Sequence, residues 1–398
     1  MSKIHEARLK LRGELEAPPA RRRFGSGWLS GVIALTLGVA GLLLVISIRL
    51  PGTLSMPEIH ALHDNPWFRF GLHVILLSGF GLGILSLVLR SGKILGTTAV
   101  SAVLLAGLIG GSRATAVEAG ATPIFFGLDW FVLNVLLTGF LFIPLERICP
   151  KQAEQGIFRQ EWREDLFYYL VSSLMVQILT YLTFAPAKTI LSIAPIAGLR
   201  AWVAALPFVI QFIAIMLLTD VVQYWVHRAF HRVPWLWNFH AVHHSAKSMD
   251  WMAGARMHFL EIFALRSATV IPMFVLGFTE TAMHSYIFLV YLYSTFVHAN
   301  LGWRLGWVEK ILVTPRFHHW HHGIEQEAID VNFSIHFPFL DKLFGTFHLP
   351  ENRWPSGYGI GGHPVPNGYL EQFKYPFVGN RVNGTGEGTP PVAESKSL

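Results

Sequence analysis

One cysteine, Cys149, occurs in 398 residues, so the chain has neither an internal disulfide framework nor a cysteine-built metal site. Charge is scarce as well. Asp, Glu, Lys and Arg make up 14% of the residues, against about 25% in an average soluble domain. A water-soluble body of 44.6 kDa cannot cover its surface with so few charges. A G-x-G-x-x-G in the strand-to-helix setting of a nucleotide fingerprint is missing too, and so is a cysteine set for an iron–sulfur cluster. What abounds is apolar: 52% of the residues, with a mean hydropathy of +0.43. These are the proportions of an integral membrane protein.

Uncharged stretches run from Phe24 to Ile48, Phe70 to Leu89, Ile94 to Ser112, Leu166 to Ala187 and Ala201 to Thr219. Each is long enough to cross about 30 Å of hydrocarbon at about 1.5 Å per residue. Trp130 to Leu145 is shorter and is expected to span only with help from the Pro123–Gly127 segment. Two further pieces, Ser267 to Phe278 and Thr281 to Trp303, read as a hairpin whose first arm is short enough to be re-entrant.

The net charge of +6 is unevenly placed, which speaks for membrane topology rather than nucleic acid. Seven Lys/Arg lie in residues 1 to 23, none in residues 50 to 66, then Arg90 and Lys93, then Arg113 alone, then four from Arg147 to Arg163. The alternation puts the N-terminus in the cytoplasm. The same count brings the segment from Asp220 to His244, and His298, to that side. The expected segments are a basic tail (1–23), a three-span extension (24–112), a membrane and metal-binding domain (113–350) and a partly disordered C-terminal tail (351–398).

Histidine is the unusual residue, with 19 in all and 12 of them between His227 and His322. His227-Arg-Ala-Phe-His231 sets two imidazoles at i, i+4 on one helical face. His240-Ala-Val-His243-His244 and His318-His319-Trp320-His321-His322 each add a H-x-x-H-H pattern, and Pro234 divides the first two clusters. His298 ends an apolar helix, and His258 sits in Arg256-Met-His258-Phe-Leu-Glu261. Imidazole suits borderline first-row metals, and one ion needs only about four to six donors. Eight clustered histidines therefore read as ligands for two ions. Their second N–H groups need acceptors, for which Asp220, Asp250, Glu261, Asp330 and Asn332 are near in sequence.

One H-x-x-x-H alone is weak evidence, and a single interfacial histidine is ordinarily a polar tip. His5, His60, His63, His73, His284, His336, His348 and His363 are read that way. Trp235, Trp237 and Phe239 read as interfacial packing. Arg228 and Arg232 are expected to meet lipid headgroups or to position carboxylates.

Taken together, Asp220-x6-His227-Arg-x-x-His231, His240-x-x-His243-His244, Arg256-x-His258-x-x-Glu261, His298-x-Asn300 and Thr314-Pro315-x-x-His318-x-x-His321-His322 resemble the sterol desaturase/fatty acid hydroxylase superfamily. Asp330-x-Asn332-Phe and Leu340-Asp341-Lys-Leu-Phe344-Gly345-Thr346 match its C-terminal signature. The resemblance spans about residues 130 to 350; Phe259 stands where the family pattern has proline. It implies a multi-span all-α membrane protein with a cytoplasmic histidine-rich di-metal cap. The ligands it implies are His227, His231, His240, His243, His244, His318, His321 and His322, with His298 and His258 as further candidates. His319 falls on an unspecified position of the motif.

The implied activity is O2-dependent hydroxylation or desaturation of a lipid C–H bond by a di-iron centre, with zinc possible in purified material. The substrate would come from the bilayer, and electrons from a separate donor protein. A zinc-dependent interfacial lipid hydrolase and a metal transporter or sensor are the rival classes. The latter needs ligands near the bilayer midplane. With no lysine-type retention tail and no fused cytochrome, a bacterial inner membrane is the expected location.

Overall fold

The computed structural model describes residues 3–22, 25–117, 126–361 and 365–378. The described residues form helices and turns, with isolated bridges but no strand. Of the expected C-terminal tail (351–398), residues 351–361 and 365–378 are described and include a helix at Tyr369–Val378; the remainder, with His363, lies outside the described residues. Among the described residues, six helices are long and apolar enough to cross a membrane, and a bent pair makes up to seven.

The chain divides into two compact units. The first comprises Met1–Pro144, Ala153–Arg163 and Tyr169–Tyr181. Its centre is built from α2 (Trp28–Arg49), α3 (Pro66–Leu89) and α4 (Ile94–Leu108). In hydrocarbon no hydrophobic force presses one helix on another, so close backbone approach and dispersion must hold the bundle. A side chain added at Gly38 would stand 2.8 Å from the Ala99 carbonyl oxygen, and one at Gly96 2.8 Å from that of Gly83. Beside these glycines, Leu44, Val45, Leu72, Leu76 and Val103 close the core.

The polar α1 (Lys3–Leu15) is pinned to this bundle by the Glu14–Arg90 ion pair and by the Trp28 indole N–H, which donates to the Glu14 carbonyl at 2.8 Å. At the first turn of α5 (Leu128–Ile148), buried Asp129 accepts from the Ser55 hydroxyl at 2.5 Å, with His63 3.8 Å away. His63 is thus a buried member of a polar cluster and no interfacial tip. α5 completes its span by running on to Ile148, so the 123–127 segment is not needed for its length.

The second unit comprises Leu145–Gln152, Glu164–Tyr168 and Leu182–Leu398. The bent pair, α6 (Trp162–Leu174) and α7 (Val176–Ile193), runs through both units with an angle of 48°. The span expected at 201–219 is displaced. α8 (Ala197–Ala205) stops before Pro207, where the chain takes a non-helical cap, and α9 (Phe208–Arg232) then runs unbroken for 25 residues through Asp220, His227 and His231. Val233 ends it, and Pro234 begins α10 (Pro234–His244) at the first helical position, where its missing N–H costs nothing.

α11 (Phe259–Leu276) is longer than the sequence suggested, since it starts eight residues before Ser267 and is itself one of the six long apolar helices. α12 (Glu280–His298) returns and ends on His298. Ile215, Val270, Met273, Ala282 and Tyr286 pack α9, α11 and α12 together. α13 (Pro315–His321) and α14 (Tyr369–Val378) follow.

Candidate metal centre

Nine imidazoles gather into two groups at the ends of α9, α10, α12 and α13. His227, His231, His240, His244 and His321 form one, and His243, His298, His318 and His322 form the other; within each, one nitrogen per ring lies within 4.8 Å of all the rest. Adjacent histidines part company. A helix turns about 100° per residue, so i+3 and i+4 flank position i on either side and point about 100° apart from each other. His240 and His244 accordingly join the first group and His243 the second, while His318 and His322 join the second and His321 the first.

The hydrogen bonds assign protons to several rings. A main-chain carbonyl can only accept, so an imidazole nitrogen bonded to one must carry the hydrogen. His227 Nδ1 donates to the Phe333 carbonyl at 2.9 Å, His321 Nδ1 to Val331 at 2.8 Å, His243 Nδ1 to Arg256 at 3.0 Å and His298 Nδ1 to Ser294 at 2.6 Å. His240 Nδ1 donates to the Glu261 carboxylate at 2.5 Å. The Nε2 atoms of these rings then hold bare lone pairs.

Yet those atoms face one another: His243 and His298 at 3.2 Å, His227 and His240 at 3.1 Å. The pairs His298–His318 and His240–His244 are as close, at 2.9 and 3.1 Å. Two lone pairs so placed repel unless a cation lies between them. Nitrogens bound at about 2.1 Å to one ion stand roughly 3.0 Å apart at right angles and 3.4 Å in a tetrahedron. Among the described residues, the buried Nε2 atoms of His231 and His321 have no hydrogen-bond partner. An all-nitrogen donor set of this kind suits iron, zinc, copper or nickel.

A proton is the poorer occupant. Burial pushes His240, His243, His244, His318, His321 and His322 well below the usual histidine range, and neighbouring rings add to the effect. Neutral imidazole is the form a metal requires.

The supporting shell differs in part from expectation. Of the five polar residues singled out from the sequence, Glu261 reaches His240, and Asp330 lies 3.4 Å from His231 Nδ1. Asp220, Asp250 and Asn332 hold backbone instead. Asp220 accepts the N–H groups of Ile335, His336 and Phe337, and Asp250 those of Met252 and Ala253. Asn332 donates to the Phe317 and His348 carbonyls at 2.9 and 2.7 Å. Asp330 and Asn332 take φ of 59° and 60°, left-handed values that Asp and Asn tolerate better than most residues. That bend sets the Val331 and Phe333 carbonyls before His321 and His227.

His258 joins neither group. Its Nδ1 caps α11 by accepting from the Leu260 N–H at 3.2 Å, and its Nε2 meets the Phe373 carbonyl at 3.0 Å. His319 is bonded to the Tyr358 hydroxyl at 2.8 Å and to the His298 carbonyl at 3.3 Å. The interfacial reading of Trp237 and Phe239 is overturned: Trp237 lies 5.1 Å from His231 between ring centres, and Phe239 is buried 4.9 Å from His258. Exposed Trp235 fits it better. Arg232 pairs with Asp330 at 3.3 Å, and Arg228 donates to the Tyr224 hydroxyl at 3.2 Å. His336 is fully buried, not an interfacial tip.

Sequence reasoning missed two buried ion pairs and a carboxylate. Arg256–Asp165 at 2.6 Å steadies the loop whose carbonyl receives His243, and Arg316–Glu309 anchors α13. Asp341 gathers the N–H groups of Phe333 and Ser334 and the Thr346 hydroxyl at 2.7 to 2.9 Å.

Residues 212–346 match the fatty acid hydroxylase family model. An ornithine lipid hydroxylase of Rhizobium tropici is 27% identical over 269 residues, which are 65% of this chain and 81% of that one. A putative methylsterol monooxygenase of Dictyostelium discoideum is 30% identical over 197 residues, 47% of this chain and 69% of the other. Human alkylglycerol monooxygenase is 30% identical over 146 residues, covering 37% here but only 32% of its own length. The chain belongs to the fatty acid hydroxylase family, within the sterol desaturase/fatty acid hydroxylase superfamily. No solved structure matches it.

Proposed function

We propose that this multi-pass membrane protein is a di-iron monooxygenase that hydroxylates a C–H bond of a lipid drawn from the bilayer. The observation that carries this reading is the pair of histidine groups whose bare Nε2 atoms converge, set where membrane-spanning α9 ends. His227, His231, His240, His244 and His321 would hold one iron, and His243, His298, His318 and His322 the other. Iron supplies the redox chemistry for activating O2, which zinc lacks.

The chain's own residues do the rest. Glu261, Asp330 and four carbonyls fix ring orientation and keep each Nε2 available. The rings of Phe333 and Trp237 pack on the imidazoles. They keep water from the reacting lipid. Hydroxylation is favoured over desaturation because the named relatives are hydroxylases and monooxygenases. In this reading electrons come from a separate protein and the site faces the cytoplasm, a placement the positive-inside pattern supports.

The test is elemental analysis of detergent-purified protein grown with iron, followed by an O2-dependent screen of membrane lipids with a supplied reductant. About two irons per chain and a hydroxylated lipid are expected. Zinc with no activity after iron reconstitution, or lipid hydrolysis in the absence of O2, would defeat the reading.

A further inference from the structure

Arg266 lies on α11, a helix long and apolar enough to span the membrane. It is one turn before Thr269 and Val270 and two turns before Met273, all three buried, and Val270 and Met273 belong to the core shared with α9 and α12. The arginine thus starts on the inward stripe of its helix. Its side chain is partly buried, and among the described residues it has no hydrogen bond and no ion pair. Arg228, Arg232, Arg256 and Arg316 in the same unit all have partners.

A lone guanidinium inside a span is costly, because its five donors must be satisfied and its charge neutralised. Beside it in sequence on α11, the buried Ser267 hydroxyl is also without a hydrogen bond among the described residues.

Position relates this arginine to the histidine groups. Glu261, which holds His240, is five residues earlier on α11, about 7.5 Å along the helix axis. Long side chains on a helix lean toward its N-terminus, so the guanidinium is directed back toward that end.

We propose that Arg266 is a binding residue for the anionic head, carboxylate or phosphate, of an acyl lipid. Bidentate pairing with such a group satisfies the guanidinium and fixes where along the chain the substrate meets the metal-bearing end. The proposal rests on the reading of the unit as a lipid oxygenase, and its test needs no turnover.

Full-length protein in detergent is titrated with palmitate, with a lysophosphatidate and, as the neutral probe, with methyl palmitate, and occupancy is read by native mass spectrometry. The wild type should bind at least one anionic probe about ten-fold more tightly than the ester, and whichever anion is preferred names the head. R266Q and R266M should bind all three alike. Because no protein contact is lost, R266M should melt at the wild-type temperature or above it. Equal binding of all probes by the wild type, a preference that survives in R266Q, or a drop of several degrees in R266M would overturn the proposal. Absence of any O2-dependent product would count against the oxygenase reading alone.

Discussion

Behind the imidazoles of the five-histidine group stand two carboxylates, Glu261 and Asp330, whereas His243 and His298 of the four-histidine group lean on main-chain carbonyls. A carboxylate makes its imidazole a stronger donor and offsets part of the charge of a bound cation; a peptide carbonyl mainly fixes the tautomer. The two groups therefore offer unequal electronic surroundings despite similar rings. That inequality is a property of the loops and of α11, since the same two helices, α10 and α13, feed both groups.

The comparison can be broken most severely at the rings themselves. H321A in the first group and H243A in the second should each lose at least one of two bound metals and essentially all turnover, with the spans intact; elemental analysis and product assay check this, and full activity in either variant would exclude that ligand. The next largest effect is on the metal-free protein and treats both groups alike. Burial holds these histidines neutral in the fold, and His319 is pushed down to about 3. The unfolded chain takes up protons below its ordinary pKa near 6.5 while the folded one does not. Stability is thus flat above that pH and falls as pH drops from there toward the folded values, by up to about 1.4 kcal/mol per pH unit for each such histidine. Thermal melts of the chelator-treated protein between pH 5 and 8 would show it, and a flat profile would contradict it.

Two substitutions sharpen the contrast. E261Q should weaken binding of the ion in the five-histidine group by about 10- to 100-fold and that of the other ion by less, through the shared helices, measured by stepwise chelator competition. Equal weakening of both ions would erase the proposed difference. D330N should cost less than E261Q, because its 3.4 Å contact to His231 is longer and Asp330 also pairs with Arg232; the same competition assay reads it.

The histidines themselves were legible because imidazoles at i, i+4 need only a helix to meet. Their partition was not. Helical rotation parts His243 from His244, but which group each one joins depends on the helix packed opposite, which spacing does not encode. The acceptors were still less visible: four of the rings use backbone carbonyls, which every residue possesses, and only the left-handed bends at Asp330 and Asn332 bring two of these into place. Asp220 was noticed for its side chain, but that carboxylate gathers three backbone N–H groups and lies 3.5 Å from the His336 ring rather than meeting a histidine of either group. The shifted start of α9 follows from Pro207, a residue whose stop signal is local but whose effect on span boundaries depends on α8. The membrane class was readable from composition, the all-helical fold came with the family resemblance, and both held.

Because α10 and α13 each lend rings to both groups, neither helix can be drawn onto one ion without moving donors of the other. The half-filled centre then pays for ordering both helices while gaining the bonds of a single ion. Uptake should accordingly be cooperative, with one-metal molecules scarce at sub-stoichiometric iron and full and empty chains coexisting. A pair of isolated sites would instead fill one after the other.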